Sequence, residues 1–378
     1  MLFRGLRVIA DGRDCSDAWV YVIGDRIAAS GVGEPPTELL SGEIVDAAVL
    51  GAGILTPGFV DIHVHGAGGY AYDDGADAIR AARAVHRSHG TTRSVLSLVT
   101  GSLDALMERV RVIAELTRED PEILGSHLEG PFLDVGHKGA HTASLLRDPT
   151  AEAIEQLFEA GEGTIRQVTL APELPGGLDA IRRVVGHGAA AAVGHTAADR
   201  AQTQAAFDAG ATILTHAFNA MKGLHHREPG PVGAALSDPR VRLEVIADGV
   251  HVHADVIRML GVSAPGRVAL VTDAMAAAGA ADGAYELGGL AVEVLDGVAR
   301  LVEGGAIAGS TLTQDAALRT AVAAGMPLAA AVEALTSVPA AAVGRADLGT
   351  LEVGALADIV LLDDDLHVRG VWIAGTRV

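Results

Sequence analysis

Eight short apolar runs recur between residues 59 and 274, and amphipathic segments separate most of them. The runs are FVDIHVH (59–65), TRSVLSLVT (92–100), ILGSHLE (123–129), RQVTLAPE (166–173), AAAAVGH (189–195), ATILTHAF (211–218), RLEVIAD (242–248) and RVALVTDA (267–274). Short apolar runs of this length read as buried strands. The separating stretches, such as ADAIRAARAVHRSHG and LDALMERVRVIAELTRE, carry apolar residues at helical spacing. This alternation predicts an α/β fold, a (β/α)8 TIM-like barrel, for which roughly 250 residues are typical. Residues 1–55 and 344–378 instead show short alternating strand patterns with turn signals. They predict one small β-sandwich domain formed by both chain ends, flanking a barrel over 56–343. GLAVEVLDGVARLVEGGAI predicts a hairpin insert near 283–308, after the eighth strand.

Composition narrows the partners. The net charge is -20, with no basic stretch to offset it, so a nucleic-acid partner is not expected. No run approaches the roughly 18 apolar residues of a membrane span. The single cysteine, Cys15, rules out an intrachain disulfide and fits a reducing cytoplasm. The opening MLFRGLRVIADGRD lacks the apolar core of a signal peptide, so a cytoplasmic location is expected. Lysine occurs only at Lys138 and Lys222.

The polar residues fall at strand ends. His63 and His65 close the first run, Glu129 the third, His195 the fifth, His216 the sixth and Asp273 the eighth. Side chains alternate along a strand, so His63 and His65 share one face. In a barrel, C-terminal strand ends converge over one opening, where active sites of this fold lie. Any one of these histidines alone reads as an ordinary hydrogen-bonded core residue. Together, two buried carboxylates with no lysine or arginine at the strand ends require a cation. Imidazole and carboxylate suit zinc first, and also iron or manganese. Two arrangements stay open. One ion sits on Glu129, His195 and His216 with an open position. Alternatively two ions share Glu129, one held by His63, His65 and Asp273, the other by His195 and His216. Gly66-Ala67-Gly68-Gly69 lacks the Gly-Lys-Ser/Thr ending of a phosphate loop and reads as a tight turn.

The segments PGFVDIHVHG, HLEGPFLDVGHKGAH, VGHT, THAFNAM, REPG, ADGVHVH, LVTDAM and AGSTLT follow in that order along nearly the whole chain. In this the chain resembles the N-acetylglucosamine-6-phosphate deacetylase family of the amidohydrolase superfamily. The first segment marks the superfamily; HLEGPF, the H-x-x-N-A-M run and REPG are more specific. The resemblance implies hydrolysis of N-acetylglucosamine 6-phosphate to glucosamine 6-phosphate and acetate. It implies Glu129, His195 and His216 as metal ligands and Asp273 as the catalytic carboxylate. It also implies His141 at the acetyl carbonyl, and Asn219, Ala220, Arg227, His251 and Ala308 as substrate contacts. Some members lack the H-x-H histidines and use one metal; this chain keeps both, which favours two.

The resemblance also implies a homodimer in which Arg227 reaches the phosphate from a neighbouring subunit; by sequence alone, a surface ion pair with Glu228 is the alternative. His225 and His226 have no assigned role beyond solvated loop residues. The rival functions are deacetylation of an epimer such as N-acetylgalactosamine 6-phosphate, another amidohydrolase reaction, and a non-catalytic sugar-phosphate sensor. Superfamily members that bridge two metals with a carboxylated lysine differ here, because neither Lys138 nor Lys222 ends a strand.

Overall fold

The computed structural model describes residues 1–45 and 49–378. Eight parallel strands form the central sheet: β1 (Phe59–Val64), β2 (Thr91–Val99), β3 (Ile123–Glu129), β4 (Ile165–Leu170), β5 (Ala190–Val193), β6 (Ile213–Leu214), β7 (Arg242–Ile246) and β8 (Val268–Val271). Each pairs with the next in chain order. The ring closes at its upper rim, where Asp273 N donates to His63 O at 2.8 Å and His65 N donates to Ala274 O at 2.8 Å. The structure is the expected barrel, and every predicted strand run overlaps one of its strands.

Burial explains the pattern. All nine residues of β2 and all four of β8 are buried, inside the ring or under the outer helices. The helix following β2, α1 (Leu103–Glu119), buries Leu106, Val110, Ile113 and Leu116 along one face. Ser102 caps it by accepting from Ala105 N, a contact worth about 1 kcal/mol.

The chain ends meet in one hydrogen-bonded sheet. Ile359–Leu362 pairs antiparallel with Ile54–Pro57, which pairs parallel with Leu2–Ala10. Phe3 packs edge-on against Trp372 with ring centroids 5.1 Å apart. A buried fork ties this sheet to the barrel: Arg93 of β2 donates to both carboxylate oxygens of Asp358, at 2.6 and 2.9 Å.

The insert departs from the expected hairpin by one strand. It is a three-stranded meander, β9 (Gly283–Leu287), β10 (Leu290–Leu295) and β11 (Val298–Leu301). Gly288-Gly289 makes the first turn. Asp296-Gly297, both at positive φ (51° and 73°), makes the second, where Asp-Gly suits a two-residue turn. The inner face, with Val292, Val294 and Leu301, packs on Val99, Met275 and Ala308. The meander thereby stands beside the barrel mouth.

Candidate metal centre and substrate cavity

Strand parity brings the polar residues together. Asp61, His63 and His65 point inward from one strand, and Glu129 is the last residue of β3. His195, His216 and Asp273 each lie two positions past the end of β5, β6 and β8. All three take left-handed backbone, at φ 48°, 26° and 48°. Non-glycine residues there cost about 1–3 kcal/mol each, and such strain concentrates at functional sites.

The donor atoms form two sets sharing Glu129. In the first, His195 Nε2, His216 Nε2 and Glu129 Oε1 form a triangle with edges of 3.0, 3.0 and 3.1 Å. In the second, His63 Nε2 and His65 Nε2 lie 3.2 Å apart. Asp273 Oδ1 is 3.6 and 3.4 Å from them, and Glu129 is 3.4 and 3.1 Å away. Two ligands about 2.05 Å from a tetrahedral ion stand about 3.3 Å apart, so both sets have the spacing of a metal site. His195 Nδ1 faces the carbonyl oxygen of His137 at 2.9 Å and donates to it, which leaves Nε2 as the free base toward Glu129.

The two carboxylates draw positive charge, which the histidines beside them hold as protons and which a bound cation would replace. Burial raises the Asp273 carboxyl, but the charge of His63 and a hydrogen bond from His65 outweigh it and hold it down at about 2. Burial likewise opposes ionisation of Glu129, and the surrounding histidines hold it well below the usual range. Burial lowers His65, yet the bonds to Asp273 and Glu129 lift it to about 9. Two carboxylates thus stay ionised inside the barrel, and among the described residues no lysine or arginine lines the cavity beside them. The residues present fit a divalent metal.

Above the donors opens a cavity of about 400 Å³. His141, Asn219, Ala220 and His251 all line it, with Leu287 and Ile307 from the insert side. His141 Nδ1 is 2.8 Å from Thr100 Oγ1, and its Nε2 is 3.6 Å from Glu129. Burial pushes His141 down to about 4, so its ring is neutral near pH 7. His251 Nδ1 pairs with Asp248 Oδ2 at 2.6 Å.

Two expected contacts sit elsewhere. Ala308 is fully buried in the insert cluster, while its neighbours Ala306, Ile307 and Gly309 line the cavity. Arg227 lies outside the cavity on an exposed loop, its Nη1 2.7 Å from His226 Nε2. It shares a separate surface depression with Lys222, Glu228 and Arg200. Within one chain, then, Arg227 does not join the site. Gly66–Ala67 pairs with Tyr70–Ala71, and Gly68-Gly69 turns between them at φ 62° and 90°. The Gly68 and Gly69 amides donate to Ala278 and Ala276 carbonyls, so the glycine run is a turn and not an anion cradle.

Two groups escaped the sequence reading. Glu244, in the middle of β7, accepts from His63 Nδ1 at 3.0 Å. Thr100, at the end of β2, holds His141. The inward parity of Glu244 within an apolar strand was the available signal.

The amidohydrolase family model matches residues 54–378. The N-acetylgalactosamine-6-phosphate deacetylase of Escherichia coli O157:H7 is 42% identical over 330 residues, covering 86% of this chain and 87% of that protein. The N-acetylglucosamine-6-phosphate deacetylase of Vibrio furnissii is 37% identical over 339 residues, covering 88% and 85%. Among solved structures, an aspartate-to-alanine mutant of N-acetyl-D-glucosamine-6-phosphate deacetylase from Mycobacterium smegmatis, in complex with N-acetyl-D-glucosamine-6-phosphate, superposes with a TM-score of 0.95 at 43% identity. It covers 100% of this chain and 98% of that one. This chain belongs to the amidohydrolase family and, within it, to the N-acetylglucosamine-6-phosphate deacetylases.

Proposed function

We propose that the chain hydrolyses the acetamide of N-acetyl-D-glucosamine 6-phosphate to D-glucosamine 6-phosphate and acetate. The observation that carries this reading is the convergence of His63, His65, Glu129, His195, His216 and Asp273 at the floor of one cavity, on a chain similar to deacetylases of that substrate.

Glu129, His195 and His216 would hold one divalent ion, and His63, His65 and Asp273 a second, with Glu129 shared. Zinc is the ion best matched by imidazole and carboxylate donors. A divalent ion bound there supplies Lewis acidity, making water more acidic and a carbonyl more electrophilic. The side chains supply the rest. Asp273, ionised at neutral pH, takes the proton of the attacking water and passes it to the departing sugar nitrogen. The C–N bond breaks as that nitrogen is protonated, which gives acetate and a free amine. His141 is neutral, and with the Thr100 hydroxyl donating to its Nδ1 the Nε2–H is free to bond the carbonyl oxygen as it gains charge. Asn219, Ala220 and His251 bind the sugar from the cavity wall, as does the backbone around Ala308. Arg227 binds the phosphate from the neighbouring subunit of a homodimer, where its planar fork suits the group. A cytoplasmic location is consistent with a sugar-phosphate substrate. No helix among the described residues is long and apolar enough to cross a membrane.

The 42% identity to an N-acetylgalactosamine-6-phosphate deacetylase supports the epimer as a second substrate reading. The deciding experiment measures acetate released from both phosphorylated epimers and from unphosphorylated N-acetylglucosamine, before and after chelation and metal restoration. Metal-dependent turnover fastest on N-acetylglucosamine 6-phosphate is expected. Faster turnover of the galacto epimer would establish the second reading, and no acetate from metal-loaded protein would leave a binding protein.

A further inference from the structure

Directly beneath the converging donors, the barrel holds a second polar layer in place of the branched apolar residues that usually fill it. Ser97, His127, Gln167, Thr169 and Glu244 are each 0% exposed. The proposed chemistry uses none of them. We infer that Glu244 is a positioning residue, which fixes His63 with its proton on Nδ1 and so builds the second of two metal positions. This rests on the two-metal reading above.

Glu244 Oε2 lies 3.0 Å from His63 Nδ1 and 3.3 Å from the backbone N of His216, while Oε1 lies 2.7 Å from Gln167 Nε2. A carboxylate only accepts. All three partners must therefore donate, and His63 Nδ1 carries a proton. The other ring nitrogen, Nε2, then presents its lone pair toward His65, Glu129 and Asp273. The His127 ring stands edge-on to His63, with centroids 4.6 Å apart at 88°, and blocks rotation. His127 is itself fixed at both nitrogens, by Ser97 and Thr169, each at 2.8 Å. His65 has no such brace: its buried Nδ1 has no hydrogen-bond partner among the described residues. One carboxylate on β7 thus reaches one donor from each set, the His63 ring and the His216 main chain. Partners of this kind typically change metal affinity by about 10–100-fold.

The test uses the full chain with ¹⁵N-labelled histidine, loaded with zinc. Long-range ¹H–¹⁵N correlation locates the His63 proton, assigned through His63→Asn, and competitive titration gives zinc affinities. Wild type should show the proton on Nδ1 and two zinc ions per chain. Glu244→Gln keeps the shape. Its NH₂ can turn to Gln167, whose Oε1 is otherwise unpartnered. It should weaken the second zinc about tenfold and the first far less. Glu244→Leu, with no acceptor, should weaken the second further and release the His63 proton from Nδ1. A His63 proton on Nε2 in wild type would overturn the inference, as would unchanged second-zinc affinity in Glu244→Gln. The glutamine variant decides the matter if the leucine variant does not fold. A wild type that binds one zinc refutes the two-metal reading separately. The position of the His63 proton then still decides whether Glu244 orients that ring.

Discussion

His195 Nε2 and His216 Nε2 stand 3.0 Å apart, and Glu129 Oε1 lies against both. Three Lewis bases held in so small a triangle repel one another unless something positive lies among them. Chelation should therefore abolish acetate release and lower thermal stability together. At a free zinc concentration a thousandfold above Kd, the loaded protein should gain about 4 kcal/mol over the chelated one. Calorimetry with and without chelator checks this; an unchanged Tm would argue against tight metal binding.

Asp273→Asn keeps the shape of the side chain and removes its basicity. It should lower kcat by about 10²–10⁴-fold with little change in substrate affinity. Rapid-quench acetate assays and calorimetric binding separate the two effects. Near-normal turnover would eliminate Asp273 as the proton carrier.

Arg227→Ala should raise KM for the phosphorylated sugar by about 10–100-fold, the worth of a hydrogen bond to a charged group. The unphosphorylated sugar should be little affected. Because Arg227 stands outside its own chain's cavity, mixing Arg227→Ala with Asp273→Asn chains should regenerate activity through hybrid dimers that contain one intact site. No recovery after verified subunit exchange would place Arg227 outside a shared site.

The Asp248–His251 pair sets a pH window. Burial opposes both charges, but their mutual bond holds the carboxyl below and the imidazole above their ordinary values. The lowered carboxyl stabilises the fold above its unfolded value near 3.9, and this is lost as pH falls through the folded value. The raised imidazole stabilises below about 6.5, and this fades as pH rises through its folded value. The stability difference between wild type and Asp248→Asn should thus be largest between about pH 4 and 6.5. Denaturant titrations across pH measure it, and a flat difference would contradict the pairing.

Asp358→Ala leaves Arg93 buried without its partner. It should cost about 3–5 kcal/mol of stability, with the metal cluster on the opposite rim undisturbed. Urea melts beside zinc titrations would show whether the two effects separate as expected.

The barrel and its donors were legible because strand parity and strand ends are written directly in the residue order. FVDIHVH and LVTDAM place polar groups where a parallel strand stops, and the structure brings them within 3.6 Å. The hairpin read in GLAVEVLDGVARLVEGGAI corresponds to β10 and β11 around the Asp296-Gly297 turn; the strand it missed is the first, Gly283–Leu287, which precedes that segment beyond Gly288. Glu244 was harder. A carboxylate among Leu243, Val245 and Ile246 reads as a strand with one outward polar residue. Only knowing which face turns inward reveals that it braces His63. The phosphate role proposed for Arg227 cannot be read from one chain, because Arg227 does not line that chain's own cavity.

The pairing of Ile54–Pro57 with Ile359–Leu362 also orders events in time. The ribosome makes the first of these strands roughly 300 residues before the second, which at about 5–20 residues per second is some 15–60 seconds. Throughout that interval the nascent chain carries a strand with one edge open, and such edges invite association with other chains. The Arg93–Asp358 fork cannot close until the same late segment emerges. The lock on the barrel's base is thus among the last contacts that synthesis allows, and a nascent chain stalled short of residue 358 should be a better chaperone client than the finished protein.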